Sequence, residues 1–526
     1  MSVRILVADP IAEEGIAILR SVADVDVITK QAPDELVRRI PDYDALVVRS
    51  ETKVTAPVIE AGTRLRAIGR AGVGVDNIDV EAATRKGITV VNAPTGNTIA
   101  ATEHTIALLL ALARNVPQAH LALKAGRWDR AKFTGVEVRN KVLGILGLGK
   151  IGSEVARRAL GLQMRVVGYD PFVSEDHARK LGVEYADFDT VLRLADFLTV
   201  HIPLSNETRS LIGDAELAKM KPTARVINVA RGGIIDEEAL YRAVEEGRLA
   251  GAAVDVFSHE PTTDNILFKS DKIIVTPHLG ASTEEAQVQV AVDVAEQIVE
   301  IFHGRPARYA VNLPHVPAET LKALQPYLPL AEAVGAMAAQ LAHGQVTGVT
   351  VTYEGEVAEH DTALLKAALI KGLLRASSED QINLVNAAFI ARERGLRITE
   401  QKTIDTENYT SLLRVAVDRQ GEKTIVAGTV LRGEPRVVQI NDYNQMDIAP
   451  VGTLLLCHNT DRPGVIGRVG TLLGQRDINI AFMSVARDHP RGRALMIVGV
   501  DEPISDEVLN EVRALDGIDD AVVVNL

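Results

Sequence analysis

Lys141–Pro171 reads KVLGILGLGKIGSEVARRALGLQMRVVGYDP, and the rest of the chain is organised around it. Val142–Leu146 is a short, bounded apolar run, the pattern of a buried strand. Gly147, Gly149 and Gly152 follow as G-x-G-x-x-G. Val155, Ala156, Ala159, Leu160 and Leu162 then recur at helical spacing, and a second apolar run, Arg165–Tyr169, ends at Asp170. Strand, tight turn, helix, strand and acid fall within one unit of about thirty residues.

Each part has a physical task. Gly147 permits the sharp turn, Gly149 lets a pyrophosphate approach the backbone, and Gly152 lets the helix pack closely on the strand. The helix N-terminus offers free N–H groups and a partial positive charge to phosphates. Asp170 is placed to accept hydrogen bonds from ribose hydroxyls. Its charge repels a 2′-phosphate, so NAD is expected rather than NADP.

The 526 residues suffice for about three or four domains. A net charge of −13 argues against a nucleic-acid partner, which demands a basic patch. A single cysteine, Cys457, excludes an intrachain disulfide and fits a reducing compartment. The start, MSVRILVADP, lacks the basic and long apolar segments of a signal peptide. Ile106–Ala113, the most apolar helix-like run, is too short to span a bilayer. The expectation is a cytoplasmic protein with no membrane partner.

Working outward, residues 1–94 alternate strands and helices, which predicts a parallel sheet covered on both faces. Ligands of such sheets lie at the carboxyl ends of the strands. Those ends carry Arg49-Ser50 and Arg70-Ala71-Gly72-Val73-Gly74, two arginines suited to an anion. From Thr98 the pattern is helical, with Ala101, Thr105, Leu108, Leu109 and Leu112 on one face. After the dinucleotide unit, further strands run into His201-Ile202-Pro203, Ala230-Arg231-Gly232-Gly233, Phe257–Pro261 and Pro277-His278-Leu279-Gly280. A proline-rich stretch, Asn312–Pro329, reads as a linker or domain boundary. Beyond it Gln381–Arg392 reads as a helix among several strands. The last block has the order βαββαβ, a ferredoxin-like unit. Its turn Asn459–Gly464 could hold a small zwitterion, or Asp461 could simply cap the helix.

Hydride transfer from an alcohol needs a base with a pKa near working pH and a cation for a substrate carboxylate. The strand-end loops offer His278, Glu260 and Arg231. Histidine titrates near neutrality, a nearby glutamate raises its pKa, and arginine grips a carboxylate bidentately. His201 has similar placement and competes for the role of base. No Cys/His spacing matches a metal site, so no metal is expected.

Gly147–Asp170, Asn228–Gly233, Asp255–Phe257 with Glu260-Pro261, and Pro277–Thr283 resemble the D-isomer-specific 2-hydroxyacid dehydrogenases; Arg70–Asn77 and Asn92–Asn97 sharpen the likeness. The chain is similar throughout to the long members of that family, which add an intervening domain and a terminal ACT domain. The resemblance implies two doubly wound parallel-sheet domains, a discontinuous flavodoxin-like substrate domain (1–96 and 284–313) and a Rossmann NAD domain (97–283). An α+β intervening domain (314–451) and a ferredoxin-like ACT domain (452–526) follow. It implies Arg231, Glu260 and His278 as the catalytic set. NAD would meet Val73, Gly147, Gly149, Lys150, Ile151, Gly152, Asp170, Ile202, Pro203, Val229, Ala230, Arg231, Asp255, His278, Gly280 and Ala281. The implied substrate is 3-phospho-D-glycerate, held by Arg49, Ser50, Arg70, Gly72, Val73 and Asn97. Arg130 or Lys132 would reach in from a neighbouring subunit. L-Serine is the implied effector, at Asn459, Asp461, Gly464, Val465 and Asn479, and the assembly a homotetramer. The intervening block could bind substrate or another anion.

Two other readings stay open: a dehydrogenase for another 2-hydroxyacid, such as a glyoxylate/hydroxypyruvate or 2-oxoglutarate reductase, and a non-catalytic NAD-sensing interaction protein.

Overall fold

The computed structural model describes residues 3–314, 316–342, 346, 348–375, 382–406, 408–419, 422–444 and 446–526. Among the described residues the strands form four sheets. The first contains β1 (Arg4–Val7), β2 (Asp24–Val27), β3 (Ala45–Val48), β4 (Ala67–Arg70) and β5 (Thr89–Asn92), parallel throughout in the order β2-β1-β3-β4-β5. The central strands are apolar on both faces because helices cover both. One cover comes from far along the chain. The helix Glu284–Phe302 lays Val290, Val294 and Ile298 against this sheet and packs on the helix Glu13–Arg20. Each such buried side chain contributes about 1.5–3 kcal/mol.

The second sheet holds β6 (Val142–Leu146), β7 (Arg165–Tyr169), β8 (Glu184–Tyr185), β9 (Phe197–Val200), β10 (Arg225–Asn228), β11 (Gly251–Val254) and β12 (Ile273–Val275). Its order is β12-β11-β10-β9-β6-β7-β8, all parallel. The order reverses between β6 and β9. That switch point opens a crevice at the carboxyl ends of these strands, where a dinucleotide lies in this fold. The helix Thr98–Arg114 leads from the first sheet and packs on β10, β11 and the helix Lys150–Gly161.

The third sheet is mixed: β13 (Gly348–Gly355), β14 (Ile398–Thr403), β15 (Ser411–Arg419), β16 (Glu422–Leu431) and β17 (Glu434–Ile440), in the order β14-β13-β15-β16-β17. The fourth is antiparallel: β18 (Thr453–Thr460), β19 (Ile480–Arg487), β20 (Arg493–Val500) and β21 (Ile518–Asn525), ordered β19-β20-β18-β21. With the helices Val465–Gln475 and Asp506–Arg513 it has the βαββαβ order. One face of this sheet packs on those helices. The other, through Leu454, Leu456, Leu495, Ile497 and Val524, joins the core of the third sheet. Gln340 and the Asn525 backbone exchange two hydrogen bonds of 2.9 Å across that junction.

The stretch Asn312–Pro329, expected to be a linker or domain boundary, carries helical structure. It contains the helix Ala318–Leu324 and the start of the helix Tyr327–Leu341. Pro317 and Pro326 are the residues just before these helices, and Pro329 sits in the first turn. Proline is tolerated there because first-turn N–H groups have no intrahelical partner. The helix expected over Gln381–Arg392 runs instead from Ala387 to Glu393, and Gln381 lies outside the described residues.

Candidate active site

The turn after β6 fits a dinucleotide. Gly147 has φ +93°, and a Cβ on it would lie 2.5 Å from the His201 carbonyl oxygen. A Cβ on Gly152 would lie 2.0 Å from the Gly147 carbonyl oxygen, so the helix approaches the turn only because Gly152 has no side chain. A Cβ on Gly149 would meet no atom within 4 Å, which leaves its backbone open where a pyrophosphate approaches. Asp170 closes the turn: its carboxylate accepts from Leu148 N and Phe172 N at 2.9 Å each. Ile202 and Pro203 stand at the end of β9, across the switch point.

A second cavity, about 590 Å³, lies between the first and second sheets. Arg49, Ser50, Arg70 and Gly72 line it from one side, Glu260 and His278 from the other. His278 follows β12 in the left-handed region, φ +55°, and its N–H donates to the Asp255 carbonyl at 2.8 Å. This strained backbone aims the ring into the cleft. His278 Nδ1 is 2.6 Å from Glu260 Oε2, and Glu260 Oε1 accepts from Phe257 N at 2.8 Å. Burial pushes the Glu260 carboxyl up, but the His278 and Phe257 hydrogen bonds outweigh it and hold the group below its usual value.

Arg49 and Arg70 line the cavity, and the charge of Arg231 reaches Arg70. Arg70 is packed so closely beside Gly72 that a Cβ there would lie 1.5 Å from Arg70 Nη1. Burial, and then the charges of Arg231 and Arg49, take the Arg70 guanidinium down to about 10. Arg231 follows β10 on a turn stapled by Asn228, whose Nδ2 donates to the Arg231 carbonyl and whose Oδ1 accepts from Ala230 N, 3.0 Å each. The Arg231 side chain leans over Gly74 and stands 3.5 Å from Asp76. The charges of Arg231 and Arg49 act on the Arg70 guanidinium, offset in part by Asp76 and Asp9, and a bound anion would be favoured beside it.

Other expected residues fall elsewhere. His201 contacts Thr199 Oγ1 at 3.0 Å, and desolvation takes its pKa down to about 4. It has no carboxylate partner among the described residues, unlike His278. Asp255 is fully buried, and its carboxylate is bonded to the turn that carries His278. Arg130 and Lys132 lie on an exposed turn away from the cavity, with Lys132 3.6 Å from Asp129. Val73 takes the Asn92 Nδ2 hydrogen bond on its carbonyl, and Asn97 precedes the helix Thr98–Arg114 with its Oδ1 buried.

The five effector residues do not meet in one chain. Asn459, Asp461, Gly464 and Val465 cluster where β18 enters its helix, whereas Asn479 precedes β19 at the opposite end of the sheet. Val500 pairs with both Thr453 and Ile480, six residues along β18 from Asn459, or about 20 Å at about 3.4 Å per residue. Asp461 accepts from Arg487 at 3.0 Å and Arg491 N at 2.9 Å; the Asn459 Oδ1 is buried without a partner among the described residues.

Sequence reading missed His104 and Thr276, which flank Asp255. His104 had a legible signal. It stands three residues after Ala101 and four before Leu108, half-buried at the edge of the buried stripe of its helix.

Comparison with known proteins decides the family. Residues 106–280 match the family described as D-isomer specific 2-hydroxyacid dehydrogenase, NAD binding domain. Residues 323–441 match the D-3-phosphoglycerate dehydrogenase intervening domain, and residues 453–517 the ACT domain. The chain is 48% identical to the D-3-phosphoglycerate dehydrogenase of Archaeoglobus fulgidus, over 99% of this chain and 100% of that one. The chain belongs to the D-3-phosphoglycerate dehydrogenase family. The family's Methanocaldococcus jannaschii member is 45% identical over 100% of both chains. Among solved structures, D-lactate dehydrogenase from Aquifex aeolicus, complexed with NAD and lactic acid, is similar with TM-score 0.52 and 25% identity, over 57% of this chain and 96% of that one. Family membership makes the chain an NAD-dependent oxidoreductase.

Proposed function

We propose that the cleft oxidises 3-phospho-D-glycerate to 3-phosphohydroxypyruvate, the first step of phosphorylated L-serine biosynthesis. The observation that carries this reading is the pair Arg49 and Arg70 in one cavity with the His278–Glu260 pair, with Arg231 near enough for its charge to act on Arg70. A substrate with a phosphate at one end, a carboxylate at the other and a hydroxyl between them matches that charge pattern.

In the mechanism, Arg49 and Arg70 hold the phosphate and Arg231 the carboxylate. His278 takes the C2 hydroxyl proton on Nε2, because Nδ1 faces Glu260. Glu260 stays ionised and stabilises the imidazolium that forms. Bound on the glycine turn, Lys150, Ile151 and Asp170, NAD supplies the hydride acceptor. Val229, Ala230, Gly280 and Ala281 would hold its nicotinamide end. Closure of the lobes excludes water from the proton transfer.

Regulation by L-serine is the second part of the reading. A serine carboxylate and ammonium suit the Asn459–Val465 turn, with the ammonium replacing Arg487 at Asp461. Asn479 lies too far away in the same chain, so a second copy supplies it. The exposed apolar residues Trp128 (76%), Leu121 (66%) and Leu123 (56%) support association of copies through the region that also carries Arg130 and Lys132. We extend the reading to a cytoplasmic homotetramer.

The test is NADH formation from NAD and 3-phospho-D-glycerate, with and without L-serine. Activity that falls with serine supports both parts. Serine-insensitive activity removes the regulatory part alone. Absence of activity in both reaction directions, with NAD bound, removes the first.

A further inference from the structure

We infer that His104, on the helix joining the two lobes, is a positioning residue for the catalytic turn and acts through Asp255. Asp255 follows β11 and is 0% exposed. Its Oδ1 accepts from Leu279 N at 2.8 Å and Thr276 Oγ1 at 2.5 Å, with His104 Nε2 at 3.2 Å. Its Oδ2 accepts from Gly280 N at 2.8 Å, and its backbone carbonyl accepts from His278 N at 2.8 Å. One buried residue therefore fixes both ends of the turn that holds His278 in its left-handed conformation.

The tautomer of His104 follows from its partners. A carboxylate held ionised only accepts, and hydrogen bonds from His104 and Thr276 keep the Asp255 carboxyl below its usual value despite burial. Thr276 gives its one hydroxyl proton to Asp255, so its oxygen accepts from His104, also at 3.2 Å. Nε2 of His104 thus carries the hydrogen and shares it between Asp255 Oδ1 and Thr276 Oγ1. A hydrogen bond to a buried carboxylate is worth more than a neutral one, and losing it leaves Asp255 freer to turn.

Placement gives this bond a function beyond packing. The helix Thr98–Arg114 begins directly after Asn97, where the chain leaves the first sheet, and it packs on β10 and β11. Any shift of that helix as the lobes close reaches Asp255 through His104, and through Asp255 the backbone of His278. The base is aligned by the connecting helix as well as by Glu260.

The inference rests on the dehydrogenase reading, and two readouts separate them. In the full-length enzyme, H104F keeps an aromatic ring and removes the donor, whereas H104Q places an amide N–H near the position of Nε2. At saturating NAD and 3-phospho-D-glycerate, H104F is expected to lose about tenfold in kcat, the effect of one charge-assisted hydrogen bond. Its KM for 3-phospho-D-glycerate should stay within about twofold, and H104Q should recover most of the loss. Independently of activity, hydrogen exchange at the Leu279 and Gly280 amides should accelerate in H104F and not in H104Q. If H104F does not fold, T276V against T276S makes the same comparison from the other donor. Wild-type kcat in H104F overturns the inference, as does equal impairment of H104F and H104Q. Unchanged amide exchange in H104F overturns it even if the enzyme's substrate proves to be different.

Discussion

His278 Nδ1 and Glu260 Oε2 stand 2.6 Å apart across the turn that follows β12, which leaves Nε2 as the ring nitrogen facing the cleft. The base is therefore oriented before substrate arrives. His278→Ala is expected to lower kcat at least about a hundredfold, the usual scale for a general acid–base group. Steady-state kinetics at saturating substrate checks this, and near-normal turnover would exclude His278 as the base.

Glu260 gives a pH signature. Its folded-state carboxyl lies below its usual value because hydrogen bonds from His278 and Phe257 N outweigh burial. A carboxyl depressed by folding contributes stability in full above its unfolded value, about 4.3, and loses it as pH falls through the folded value. The stability difference between wild type and Glu260→Gln should shrink as pH drops below about 4. Denaturant titrations across the acid range measure it; a difference that stays constant there contradicts the assignment.

Arg70 is buried beside the like charges of Arg231 and Arg49. Arg70→Met should raise the KM for 3-phospho-D-glycerate by about tenfold or more, from the loss of about 1.5–3 kcal/mol of charge-assisted bonding. The same change relieves repulsion with Arg231 and Arg49, so the thermal midpoint of the free enzyme should not fall. Inorganic phosphate should raise that midpoint in wild type and not in the variant. An unchanged KM would disconnect Arg70 from the substrate.

Gly149 and Gly152 should separate binding from folding. Gly149→Ala meets open space and a φ of −68° that alanine accepts, so the protein should fold normally and bind NAD more weakly. Gly152→Ala would press a methyl group against the Gly147 carbonyl and should destabilise the fold itself. Thermal denaturation beside NAD titration distinguishes the two, and equal effects of both substitutions would refute the division.

Much of this architecture is legible in the sequence, for identifiable reasons. Val142–Leu146, the three glycines and Asp170 specify strand, turn and acid by spacing alone. The inner parallel strands read clearly because burial on both faces makes them continuous apolar runs, whereas the two-residue edge strand β8 left no such run. β14, Ile398–Thr403, left no such trace: it is an edge strand whose middle four residues are exposed and polar. Pro317, Pro326 and Pro329 read as a linker or domain boundary because proline marks loops and helix starts alike. The reach of Asn479 was also hidden, since register along β18 and β20, not proximity in sequence, sets its distance from Asn459. His104 sat at the edge of the apolar stripe of its helix, but its partners Asp255 and Thr276 are more than 150 residues away.

The most direct test of the central claim compares kcat/KM for 3-phospho-D-glycerate with that for D-glycerate, using NAD as acceptor. If Arg49 and Arg70 hold a phosphate, the phosphorylated substrate should be favoured by at least about a hundredfold, and the preference should collapse in Arg70→Met. Equal turnover of the two substrates by the wild-type enzyme would contradict the assignment of this cleft.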